Sequence, residues 1–156
     1  MKRVRILAGM LALCAVLLTG CGRQETTSGT QAAASGDWTI AADSLTQEPQ
    51  FLDRTQDGVK LQLIALKDAD GQVRIAYNTC QVCAGSPYAY FEYTDGALEC
   101  QNCGNRFPLS SVGEAAGGCN PMPVEAYQVN ADGGVTIPES ELTRGTAAFA
   151  NWKKGL

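Results

Sequence analysis

The sequence predicts a small, β-rich α+β domain built from hairpins, carrying a four-cysteine metal knuckle site and closed by a short C-terminal helix. Three observations predict it. Residues 58–77 alternate apolar and polar side chains on either side of Asp70-Gly71, and residues 89–99 form a second such stretch around Thr94-Asp95-Gly96. Two Cys-x-x-Cys pairs, Cys80/Cys83 and Cys100/Cys103, follow directly on those stretches. A period of two turns one strand face inward, and Asp-Gly supplies the backbone of a tight hairpin turn.

The elements follow in chain order. Lys2, Arg3 and Arg5 precede an uncharged apolar run over residues 6–18, which ends in Leu18-Thr19-Gly20-Cys21. A span of roughly 30 Å of hydrocarbon needs about 20 apolar residues, so this shorter run has the form of a bacterial export signal rather than of a permanent span. Its junction resembles a lipobox, so residues 1–20 are read as a lipoprotein signal peptide and Cys21 as the lipidated residue. Cys14 lies inside the apolar run and needs no role. Residues 21–36, rich in Gly, Ser, Thr, Gln and Ala, read as a flexible tether that holds the domain on the order of 20 Å from its anchor. Residues 37–156 remain for one small domain.

Within it, Trp38-Thr39-Ile40 begins a strand. Residues 58–66 read as a half-buried strand, and the hairpin that they open delivers Cys80 and Cys83. The hairpin over 89–99 leads into Cys100, and Tyr88, Tyr90, Phe91 and Tyr93 read as strand packing rather than a ligand box. A helix is expected within 138–153, with a helical turn near Leu45. Thr39-Ile40, Leu45-Thr46 and Phe51 are echoed by Thr136-Ile137, Leu142-Thr143 and Phe149. Each copy reads as a strand followed by a Ser- or Asp-capped helical turn, a common idiom occurring twice rather than a repeat array.

Charge and composition exclude several functions. Residues 1–20 hold three of the 12 basic residues and none of the 16 acidic ones, so the mature chain carries a net charge of about −7. That sign argues against nucleic acid as a partner, and it leaves membrane attachment to acyl chains rather than to charge. The chain has no histidine. This excludes c-type haem attachment, Rieske ligation, zinc held by two cysteines and two histidines, and any His-based triad.

Sixteen residues separate Cys83 from Cys100, the spacing expected of a four-cysteine metal site. Two residues between cysteines let one turn aim both sulfurs at a single ion. Gly85 and Gly104 follow the second cysteine of each pair, where a positive φ lets backbone N–H groups turn back toward the thiolates. Four thiolates suit zinc, a single iron or an iron-sulfur cluster. Two other readings stay open: structural disulfides, suited to an exported protein, and a redox dithiol. Cys119 lies between two glycines and Pro121-Met122-Pro123. That path brings its sulfur close to something, so it is either an inert buried thiol, a fifth or exchanging ligand, or a reactive thiol beside the metal.

Residues 70–76 leading to Cys80-x-x-Cys83, then Cys100-Gln101-Asn102-Cys103-Gly104 with Phe107, then Gly117-Gly118-Cys119-Asn120-Pro121-Met122-Pro123 resemble the FtrD-like membrane iron-sulfur-containing protein domain. The likeness runs over roughly residues 38–150. It implies an iron-sulfur cluster or other Cys-ligated metal in a family associated with iron-transport operons and membrane electron transfer, and it draws Cys119 toward the cofactor. The expectation is a non-enzymatic protein, lipid-anchored on the extracytoplasmic face of the bacterial cell membrane. Cys80, Cys83, Cys100 and Cys103 ligate iron or zinc there, and Cys119 lies adjacent. The implied role is electron transfer or iron transport beside an integral-membrane transporter or electron-transfer partner. A structural-zinc module of a transporter and a thiol-disulfide redox protein are the alternatives.

Overall fold

The computed structural model describes residues 36–114 and 117–154. The expected signal peptide, the lipidated Cys21 and all of the tether except Gly36 lie outside the described residues. Within them the chain forms three small antiparallel sheets and one short C-terminal helix. The strands are β1 (Trp38–Ile40), β2 (Gln50–Gln56), β3 (Val59–Lys67), β4 (Val73–Cys80), β5 (Phe91–Thr94), β6 (Ala97–Cys100), β7 (Arg106–Pro108), β8 (Pro121–Pro123), β9 (Gln128–Val129) and β10 (Val135–Ile137), and the helix is α1 (Glu139–Gly145). The central sheet runs β2-β3-β4-β8, a terminal sheet runs β1-β10-β9, and a third runs β5-β6-β7.

Both expected hairpins form. Asp68 closes the first, its Oδ1 accepting the N–H groups of Asp70 and Gln72, with Gly71 at φ 79°. Asp95 and Gly96 close the second at φ 49° and 78°, the paired positive values that a two-residue hairpin turn needs. Asp57-Gly58 makes the same turn between β2 and β3, with φ 51° and 78°. Phe51 therefore lies in a strand, opposite Ile64, and not in the helical turn expected from its echo of Phe149. Pairing to β3 decides this, since the mixed polar sequence of β2 has little strand pattern of its own.

The reading of residues 58–66 as half-buried is corrected: β3 is buried on both faces from Leu61 to Leu66. Leu61, Leu63 and Ala65 join Ile75, Tyr77, Leu142, Phe149 and Trp152 in one core. Ile64 and Leu66 join Ala76, Cys80, Phe91, Leu98, Cys100 and Val112 in a second core. The second face is covered because the β5-β6-β7 sheet packs there, and the cysteine-bearing turns come with it. Phe91 is buried, and Tyr90 meets Trp152 edge-on at 6.1 Å between ring centroids. Tyr88 and Tyr93 are exposed, which corrects their assignment to packing.

The helix is shorter than the range 138–153 allows, passing into a 3-10 turn over Thr146–Phe149. Gly145 sits so close to Tyr77 that a Cβ there would lie 2.6 Å from the ring. The expected local caps are absent: Ala41 and Pro138 hold the cap positions and neither makes a side-chain bond. Asp37 Oδ1 instead accepts the N–H of Glu139 at 3.0 Å. The strands of the echoed segments, β1 and β10, pair with each other, Thr39 opposite Thr136. Their hydroxyls lie 3.0 Å apart, and past this point the two copies diverge.

Candidate metal centre

Three turns converge on one place because three strands end or begin there. Cys80 is the last residue of β4 and Cys100 the last of β6, so each hairpin delivers its Cys-x-x-Cys pair at a strand exit. Pro121 pairs with Cys80 across β4 and β8, which sets Cys119 beside the first pair. β8 is the edge of its sheet, where proline forfeits no ladder bond. Gly117 and Gly118, at φ 83° and 74°, bend the chain into that edge.

The sulfurs of Cys80, Cys83 and Cys119 lie within 4.8 Å of one another, as do those of Cys83, Cys100 and Cys103. Cys83 belongs to both trios. All five carry free thiols. The expected ligands and Cys119 are thus brought together as two trios of thiols. The donors are all soft sulfur, with neither imidazole nor carboxylate among them, which fits zinc, copper(I), iron or an iron-sulfur cluster.

Backbone geometry supports thiolate charge at the site. The N–H groups of Cys83 and Val82 point at the Cys80 sulfur, and those of Asn102 and Cys103 at the Cys100 sulfur. Gly85 and Gly104, at φ 95° and 74°, have the conformation expected after each pair. Burial dominates nonetheless at the two strand-end cysteines: it pushes the Cys80 thiol well up and the Cys100 thiol up to about 11, against the pull of those amides. Exposed Cys103 goes the other way. The N–H of Asn105 lowers it first, and hydrogen bonds from the thiols of Cys100, Cys83 and Cys119 add to the effect.

Polar side chains hold the turns in place, and sequence reasoning missed them. Ser86 Oγ meets Asn102 Oδ1 at 2.6 Å, joining the first turn to the second. Gln81 Oε1 accepts the N–H of Gly117 at 2.8 Å, and the Gln81 N–H reaches Asn120 O at 3.0 Å, joining the first turn to the third. Asn78, fully buried on the face of β4 that bears Cys80, pairs with the Phe91 backbone: its Oδ1 accepts the Phe91 N–H at 2.7 Å and its Nδ2 donates to the Phe91 O at 3.2 Å. Asn78 thereby docks the third sheet on the central one. Its only sequence signal was an amide interrupting an apolar strand two residues before a cysteine.

No helix among the described residues is long and apolar enough to cross a membrane. No curated protein and no solved structure matches the chain. Residues 46–149 match the family described as membrane iron-sulfur containing protein, FtrD-like, a span that runs from before β2 to Phe149 and takes in all five clustered thiols. On that match the chain belongs to the FtrD-like family of membrane iron-sulfur containing proteins.

Proposed function

We propose that the protein is an extracytoplasmic, lipid-anchored metal-binding protein that serves electron transfer or iron transport at the bacterial membrane. The observation that carries this reading is the convergence of five thiols from three turns, with no other donor type grouped with them among the described residues, in a member of a family described as iron-sulfur proteins. Cys80, Cys83, Cys100 and Cys103 hold the metal, with Cys119 beside them. A bound iron centre supplies one-electron chemistry, whereas zinc supplies structure alone.

The chain's own residues do the rest. The amides of Val82, Cys83, Asn102, Cys103 and Asn105 stabilise thiolate charge. Phe91, Leu98 and Val112, all fully buried, keep water from Cys80 and Cys100. Cys103 stands exposed, and an electron-transfer partner or membrane transporter would reach the site there. Lipidated Cys21 and the tether keep the domain near such a partner.

Anaerobic purification followed by an absorption spectrum tests the reading. Charge-transfer bands bleached by dithionite are the expected result. A colourless protein with bound zinc turns the domain into a structural module of a transporter. Metal-free protein with its cysteines oxidised in pairs overturns both and leaves thiol-disulfide exchange.

A further inference from the structure

The turns that bring the thiols together carry no charge. Residues 75–91, 100–105 and 117–124 contain no Asp, Glu, Lys or Arg, in a chain that is 18% charged. The first of these segments makes a loop closed at its base, where the Cys80 N–H reaches Ala89 O at 2.9 Å. Two large apolar side chains stand out of it, Val82 at 64% and Tyr88 at 59% exposure. Ser86 Oγ accepts the Tyr88 N–H at 3.2 Å and donates to Asn102 Oδ1, so the loop lies against the turn of exposed Cys103. We propose, resting on the lipid-anchored reading above, that this face docks on the lipid bilayer, with Val82 and Tyr88 seated among the headgroups.

The tether leaves the domain at the end of the central sheet that bears the thiols. Gly36, where the described residues begin, accepts a bond from Arg54 Nη2 through its carbonyl. Arg54 stands opposite Leu61 on β3, past the Leu63–Tyr77 pair and toward the end where β4 reaches Cys80. A tether with a reach on the order of 20 Å, attached at that end, lets the neutral face touch the surface that holds the anchor.

Charge and area favour a bilayer over a protein at this face. Anionic headgroups repel an acidic chain, and a face without charge is where it can approach them. Tyrosine suits the boundary itself, its ring in the apolar layer and its hydroxyl in water. A stable protein interface buries about 800 Å² on each partner, more than two side chains supply, but two suffice to orient a domain that acyl chains already hold at the membrane. The other exposed apolar pair, Tyr127 and Val129, shares its groove with Arg74 and is flanked in sequence by Glu125 and Asp132. Docking by Val82 and Tyr88 presents Cys103 to an integral-membrane partner rather than to a soluble one.

The test places the full-length, lipid-anchored protein, isolated without oxygen, in phosphatidylcholine vesicles and follows amide hydrogen exchange by mass spectrometry. Residues 81–90 should exchange at least fivefold more slowly than in the Cys21→Ser protein in solution, and residues 124–135 at the same rate in both. In vesicles with acyl chains brominated near the headgroup, Val82→Trp should lose at least half of its added fluorescence and Val129→Trp none. Val82→Asp combined with Tyr88→Asp should still float with the vesicles, keep its metal content and lose the protection. Protein that floats with residues 81–90 unprotected overturns the docking and leaves the anchored, metal-binding reading intact. Protection that persists in the double variant, or that grows with concentration in the Cys21→Ser protein without vesicles, also overturns it, the latter in favour of a second copy. Protein that does not float overturns the anchor and the docking together.

Discussion

Cys80, Cys100 and Cys103 belong to one sulfur cluster, yet burial raises the first two thiols while backbone and thiol donors lower Cys103. In metal-free protein, iodoacetamide should therefore label Cys103 well before Cys80 or Cys100, by a margin of tenfold or more, as peptide mass mapping would show. Metal should suppress the labelling. The same contrast sets a pH dependence. Cys100 ionises near 11 in the folded chain against an ordinary value of 9.0, so between these values the unfolded chain has lost a proton that the folded chain keeps. The stabilisation is complete below about pH 9 and is lost as pH rises toward 11. Thermal unfolding of the reduced, metal-free protein should show a falling midpoint over that window. Metal-loaded protein, whose ligands are already thiolates, should lack this component.

Two contacts between elements carry the arrangement that presents the site. Asn78 replaces a missing strand ladder between β4 and β5, and Asn78→Ala leaves the buried Phe91 N–H without its acceptor. The expected loss is about 1–3 kcal/mol of unfolding free energy in denaturant titration, with metal binding weakened as the third sheet loosens. Gly145→Ala forces a methyl group against the Tyr77 ring and should also cost about 1–3 kcal/mol, by overpacking. Because α1 covers the opposite face of the central sheet, this variant should keep its metal content.

The sequence made the hairpins legible at this scale, since Asp70-Gly71 and Asp95-Gly96 are local turn chemistry and each ends at a cysteine. It left β2 and β8 unseen. β2 is set by its partner β3, and β8 is a Pro-Met-Pro edge strand whose pairing no local pattern announces. The cysteines themselves were legible as a group, but the place of Cys119 among them depends on how β8 docks on β4. That is a long-range property, as is the replacement of local helix caps by Asp37.

At the scale of the molecule, the central sheet is buried between the terminal elements on one side and the cysteine-bearing sheet on the other. Cys80 and Cys100 are therefore part of the second core, with Cys83 and Cys119 packed against it, and on the proposed metal-binding function stripping the metal should lower the unfolding midpoint of the whole domain. The N-terminal reading belongs to this scale too. Cys21→Ser should move the protein from the membrane fraction to the soluble extracytoplasmic fraction without changing its metal content, as fractionation with elemental analysis would show. Native mass spectrometry of protein isolated without oxygen reads metal binding by the cysteine cluster without a variant or a probe. The expected mass exceeds that of the lipidated polypeptide by its bound metal, and the excess is lost when Cys80, Cys83, Cys100 and Cys103 are all replaced by serine. The bare polypeptide mass, or that mass less two hydrogens for each disulfide, would contradict it.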